Sequence, residues 1–207
     1  MFVLQYPDYT AIIVGFFLLV AFPVHEFCHA FTAWRLGDDT ARRAGKLTLN
    51  PITHFNPVGG TLLIVSAALI GMPFGFALTP VNPARLRGRY GEAIVAVAGP
   101  LSNWITALVL GLLLRYMVFN VDAPQRLFNL VELLTRTSIA LGIFNLIPVP
   151  PLDGGAILMS LLPEQTRRRV EPQFAQLGLL LFAAVFLFGG QVIGAGVVVV
   201  FRALVGI

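Results

Sequence analysis

The densest chemistry in this sequence lies in the pentad His25-Glu26-Phe27-Cys28-His29. Positions i and i+4 of a helix share one face, so the two imidazoles can reach a single metal ion and Glu26 can approach a water bound to it. The pentad falls inside an almost wholly apolar run from about Thr10 to Trp34. Ionisable groups inside such a run are expensive to keep there and tend to be functional. Arg35 marks the basic end of the run, and the helical rise puts His25 on the order of 15 Å inside it. Cys28 lies off the face the histidines share and is read as structural.

A catalytic zinc takes three protein ligands and keeps one position for water. Two residues could complete the set. Asp153 closes the stretch Asn145-Leu-Ile-Pro-Val-Pro-Pro-Leu-Asp-Gly-Gly155, where three prolines break the helix and two glycines permit close backbone approach. A plain helix N-cap is the competing reading of Asp153. His54, the other candidate, lies in a basic loop and could equally be a surface or turn residue. A third pattern, Gly99-Pro100-Leu101-Ser102-Asn103-Trp104, permits close helix contact and places an amide one turn on.

The elements that must position these groups follow from composition. The 207 residues are 57% hydrophobic and 12% charged, against about 25% charged in soluble domains. The mean hydropathy of +0.83 points the same way. A soluble enzyme, a nucleic-acid-binding module, a disordered linker and a disulfide scaffold are all disfavoured, and an integral membrane protein with no nucleic-acid partner is expected. With one cysteine no internal disulfide can form. The N-terminus lacks a cationic region and a small-residue cleavage signal, so no signal peptide is read there.

Membrane-length apolar runs are Thr10–Trp34, Ala93–Phe119, Leu127–Ile147 and Phe174–Phe201. The shorter Val58–Leu78 is interrupted by glycine and proline and flanked on both sides by basic loops. Arg35, Arg42, Arg43 and Lys46 precede it, and Arg85, Arg87 and Arg89 follow it. If both loops are cytoplasmic, that stretch enters and returns on one side, and Arg167–Arg169 also fall inside. Leu47 and Leu49 alternate with polar neighbours between Gly45 and Pro51, which reads as a short strand. The expected fold is therefore an all-α polytopic membrane protein. It has about four transmembrane helices (four to six), a re-entrant segment and a short membrane-associated β-hairpin or sheet. A single domain covers 1–207, with a core at about 10–162 and a last transmembrane helix at about 174–203. Glu132 and Arg136 are expected to pair along a helix face, and Gly189-Gly190 to mark a bend or a close contact.

Taken together, His25-Glu26-x-x-His29, Gly99-Pro100-x-x-Asn103 and Asn145-x-x-Pro148-x-x-Pro151-x-Asp153-Gly154 resemble the site-2 protease family of intramembrane zinc metalloproteases. They stand in that family's order. Leu47–Gly60, with Asn50-Pro51 and His54-Phe55-Asn56-Pro57, is similar to the short bacterial members that lack PDZ or CBS domains. The resemblance implies one zinc ion per chain held by His25, His29 and Asp153, with Glu26 as general base. It implies that Asn103 and Asn145 hold substrate or the developing oxyanion. The partners it implies are the lipid bilayer and a transmembrane protein substrate, such as an anti-sigma factor or a signal-peptide remnant; a homo-oligomer or a regulatory membrane partner is compatible with it. The implied location is a bacterial inner membrane, with the active site toward the cytoplasm. A strand edge near Leu47–Asn50 would hold the unwound substrate by strand addition. Two other functions fit part of the pattern: a metal-binding transporter, which has no need of a base such as Glu26, and an inactive family member acting as a binding partner.

Overall fold

The computed structural model describes residues 10–54, 61 and 79–206, which divide between two compact units, Met1–Leu86 and Arg87–Ile207. Among the described residues, three helices are long and apolar enough to cross a membrane: Ala11–Arg35, Gly91–Asn120 and Gln125–Asn145. A bent pair, Gln176–Val185 with Gly190–Val205, makes a fourth when counted as one span. No strand occurs among the described residues. The chain is an all-α polytopic integral membrane protein. The expected re-entrant stretch Val58–Leu78 lies, apart from Thr61, outside the described residues.

In the first unit the leading helix has three parts: α1 (Thr10–Phe16), a π-helical turn (Phe17–Ala21) and α2 (Phe22–Arg35). Pro23 explains the wide turn. It has no N–H for the carbonyl four residues back, and its ring crowds that carbonyl. The backbone widens just before it, and the Phe22 N–H bonds to the Phe17 carbonyl five residues back. Ile13, Phe17, Ala21, His25, His29 and Ala33 are all buried. The apolar stripe of this helix thus runs directly into the histidines, which face protein rather than lipid.

α2 ends in a Schellman motif. Gly37 takes φ 105°, its N–H bonds to Trp34 O, and the Asp38 N–H bonds to Ala33 O. Asp38, fully buried, then accepts from the Thr40 backbone N–H at 3.0 Å and the Thr40 hydroxyl at 2.5 Å, which starts the short helix α3 (Thr40–Arg43). Its second oxygen accepts the Asn82 N–H at 2.6 Å. Burial opposes its charge, but the bonds from Thr40 and Asn82, with Arg85 nearby, hold its carboxyl below the usual carboxylate range.

The expected strand at Leu47–Asn50 is absent. Side chains there bond to the backbone in place of a ladder: Thr48 Oγ1 accepts from the Asn50 N–H, Asn50 Oδ1 accepts from the Ile52 N–H, and the Thr53 hydroxyl donates to Asn50 O. These local turns curl the segment into α4 (Pro51–His54). They leave no described strand edge for a substrate to join.

The second unit is built on α5 (Gly91–Asn120) and α6 (Gln125–Asn145), joined through residues 121–124 and packed closely together. Glycines set the approach. A Cβ on Gly142 would stand 2.8 Å from the Trp104 indole nitrogen, and one on Gly111 would rest 3.5 Å from the Thr135 methyl group. α7 (Asp153–Leu161), α8 (Glu164–Phe188) and α9 (Gly190–Val205) follow. The expected last span Phe174–Phe201 breaks at Gly189 and bends by 64°, at the Gly189-Gly190 pair where a bend or close contact is expected. A side chain at Gly189 would meet Val185 O at 2.4 Å, so only glycine fits the turn. Glu132 and Arg136 pair at 2.8 Å as expected, and the Arg136 guanidinium also lies 3.7 Å from the centre of the Phe201 ring. Arg167 is tied to Glu92, at 2.5 Å, and Arg168 to Glu164, at 2.6 Å.

Candidate metal centre

α2 brings His25 and His29 together one turn apart, both 7% exposed, with their Nε2 atoms 3.0 Å apart. The rings meet edge to face, centroids 4.6 Å apart at 78°. Two lone pairs that close repel unless a proton or a cation lies between them. Nitrogens sharing one tetrahedral zinc at bond lengths of about 2.0–2.1 Å stand about 3.3 Å apart. The observed spacing therefore suits a common ion after a shift of a few tenths of an ångström.

Glu26, the next residue on the helix, is 5% exposed. Its Oε2 accepts a hydrogen bond from the Thr79 hydroxyl at 2.6 Å, and the same hydroxyl lies 3.3 Å from the Glu26 backbone carbonyl. The carboxylate is thus held by a residue 53 positions away in sequence. The sequence carries little sign of this role for Thr79: the one local feature is its place before Pro80, which favours extended backbone.

His54, the alternative third ligand, is buried, and its Nε2 lies 2.7 Å from the Thr48 carbonyl. With Lys46 Nζ donating to Thr53 O, it closes the 46–54 loop on itself. That arrangement gives His54 a structural task.

The remaining sequence-derived residues belong to the second unit. Asp153 opens α7 directly after the bend 146–152, is half-buried, and keeps Oδ2 away from solvent. The two glycines after it explain its placement. A Cβ on Gly154 would stand 2.4 Å from both the Leu146 and Ile147 carbonyl oxygens, and one on Gly155 would stand 2.7 Å from the Pro150 nitrogen. The bend therefore lies directly against the first turn of α7, where only glycine fits. Gly178 of α8 lies equally close to the Pro150 ring. Asn103 is buried on α5 beside Ser102, whose hydroxyl donates to Gly99 O. Asn145, the last residue of α6, is half-buried and donates from Nδ2 to Leu141 O at 3.1 Å.

A nucleophilic serine or cysteine scheme is not what this chemistry offers. The donors in the first unit are two imidazoles and a carboxylate at a spacing suited to metal-assisted hydrolysis. Comparison with known proteins agrees. The sequence profile described as Peptidase family M50 matches residues 116–189. A protein of Bacillus subtilis named "Putative zinc metalloprotease YwhC" is 36% identical over 180 residues, covering 82% of this chain and 77% of the relative. Two proteins named "Putative zinc metalloprotease Rip2" are similar as well. That of Mycolicibacterium smegmatis is 34% identical over 77% of this chain and 63% of its own length. That of Mycobacterium tuberculosis H37Rv is 35% identical over 87% of this chain and 70% of its own length. No solved structure matches the chain at a significant level.

Proposed function

The chain belongs to peptidase family M50, the site-2 protease family, and on that premise we propose that it is an intramembrane endopeptidase cutting other proteins in or near their membrane-spanning segments. It is a zinc metalloprotease. The observation that supports the finer reading is the pair of buried imidazoles, Nε2 atoms 3.0 Å apart, on a membrane-length helix with Glu26 beside them.

Three ligands leave a fourth position for water. In this reading Asp153 joins His25 and His29 as the third ligand of one zinc ion per chain. Its bend, packed so closely that glycine alone fits beside it, would present the carboxylate from the first turn of α7. A zinc ion held there supplies Lewis acidity for the scissile carbonyl and for the attacking water. Glu26 takes a proton from that water on a carboxylate oxygen and returns it to the leaving amine. Asn103 and Asn145 hold the substrate backbone or the developing oxyanion, for which Asn145 would exchange its bond to Leu141. A helical substrate buries its carbonyls in its own hydrogen bonds and must unwind locally to be cut.

The whole of 1–207 acts as one protease domain in this account. The basic residues of the loops after α2 and before α5 support an orientation with the Arg35 end of the first span at the cytoplasmic face. That gives an active site reached from the cytoplasm, in a bacterial inner membrane.

Reconstitution with single-span reporter proteins in proteoliposomes tests the proposal. Purified protein should release fragments whose new ends lie in or beside the span, a membrane-permeant chelator should stop the reaction, and added zinc should restore it. Folded, zinc-loaded protein that leaves every reporter intact while carrying metal ions across the bilayer would replace the protease with a transporter.

A further inference from the structure

Glu26 sits on a helix and is nearly excluded from solvent. A glutamate has three side-chain torsions, and nothing in the helix itself selects the rotamer that aims an oxygen at the water position. Resting on the peptidase reading above, we propose that Thr79 is the positioning residue for the general base. Its hydroxyl fixes Glu26 Oε2 and leaves Oε1 to face the reacting water.

The geometry of the hydroxyl supports this. At 2.6 Å the Thr79 Oγ1···Oε2 contact is the length of a charge-assisted O–H···O⁻ bond. The hydroxyl has one proton and two acceptors in reach, and the second, the Glu26 carbonyl, is farther away at 3.3 Å. The proton therefore goes to the carboxylate. Oε2 is then occupied as an acceptor, and Oε1 is the oxygen left for proton transfer.

The residues after Thr79 explain why it can hold that place. Thr79 and Asn82 each precede a proline, which disfavours helical backbone at both; Asn82 is extended at φ −106° and ψ 100°. The Asn82 N–H is bound to buried Asp38 at 2.6 Å, and its side chain accepts from the Ala84 N–H. Arg85 pairs with Asp39 at 2.8 Å. Residues 79–85 thus form a strap pinned to α2 at one end and to the turn after α2 at the other. One anchor is on the helix that carries the histidines and the other on the Schellman turn that ends it, so Thr79 and Glu26 keep one frame. A mobile surface threonine could not fix a rotamer in this way.

The consequence is a change in turnover without a change in metal or substrate binding. Thr79→Val keeps the shape and removes the donor, and Thr79→Ser keeps the donor and removes a methyl group. Loss of a hydrogen bond that orients a reacting group typically costs about 10–100-fold in activity. In proteoliposomes with a reporter that the wild type cuts, Thr79→Val should lower kcat within that range, leave KM within about twofold and retain the wild-type zinc content. Thr79→Ser should stay within about threefold of wild type, a smaller loss than the bond itself is worth. Three results would overturn the assignment: a Thr79→Val enzyme with wild-type kcat, a Thr79→Ser enzyme as slow as Thr79→Val, or loss of zinc together with activity in Thr79→Val. The second would make Thr79 a packing residue, and the third a support of the metal centre. A wild type that cuts no reporter would instead remove the peptidase reading itself.

Discussion

Glu26→Gln is expected to lower peptide-bond cleavage by about 10²–10⁴-fold, the usual contribution of a general acid–base group, while zinc stays bound. Glutamine matches glutamate in size and its amide oxygen can still accept from the Thr79 hydroxyl, so the local packing and the strap are retained. What it cannot do at neutral pH is take a proton and hand it on. His25 and His29 are untouched, so metal content should match the wild type. The pairing of these two readouts separates the functions that share this ligand chemistry. A carrier or an assembly partner has no use for a base, and would work equally well with glutamine at this position. Cleavage by the variant at the wild-type rate would remove Glu26 from the chemistry.

Gly154→Ala is expected to cost the protein both stability and activity. A Cβ there would stand 2.4 Å from two backbone carbonyl oxygens, those of Leu146 and Ile147. Backbone atoms in a pinned bend cannot swing aside as a flexible side chain would. Overpacking a tight site costs about 1–3 kcal/mol, and here the strain falls on the segment that sets Asp153. The thermal midpoint in detergent should drop by several degrees, and both cleavage and zinc retention should fall with it. Gly194→Ala is the matched control, because its Cβ would meet nothing within 4 Å in the interior of α9. There, alanine should be neutral or slightly stabilising through its better helix propensity. Equal midpoints for the two variants would show that the bend yields easily.

Much of this molecule is legible in the chain itself, for identifiable reasons. Long apolar runs can hardly be anything but membrane helices, and a histidine pair at i and i+4 must share a helix face. Asp153 stands out because three prolines and two glycines surround one carboxylate in an apolar context. The bend at Gly189-Gly190 was visible as a weak point, although not its size. At Leu47–Asn50 two alternating leucines give a strand pattern, but the side chains of Thr48 and Asn50 bond to the backbone nearby and curl it into turns. The π turn is not legible in the sequence, because Pro23 announces a missing hydrogen bond without saying how the helix absorbs it. Thr79 and Asp38 were beyond reach for a different reason. Their partners lie 53 and 44 residues away, and nothing periodic connects a lone threonine or aspartate to so distant a contact.

The proposed ligation of one zinc ion by His25, His29 and Asp153 is open to a direct test through zinc content per chain. Wild type, His29→Ala and Asp153→Ala would be purified in detergent, washed with chelator, resupplied with zinc and measured by elemental analysis beside a check of folding. A catalytic site of three protein ligands predicts about one zinc per folded wild-type chain and near none in either variant. Full zinc retention in folded Asp153→Ala, or a folded wild type that takes up none when it is offered, would contradict the account.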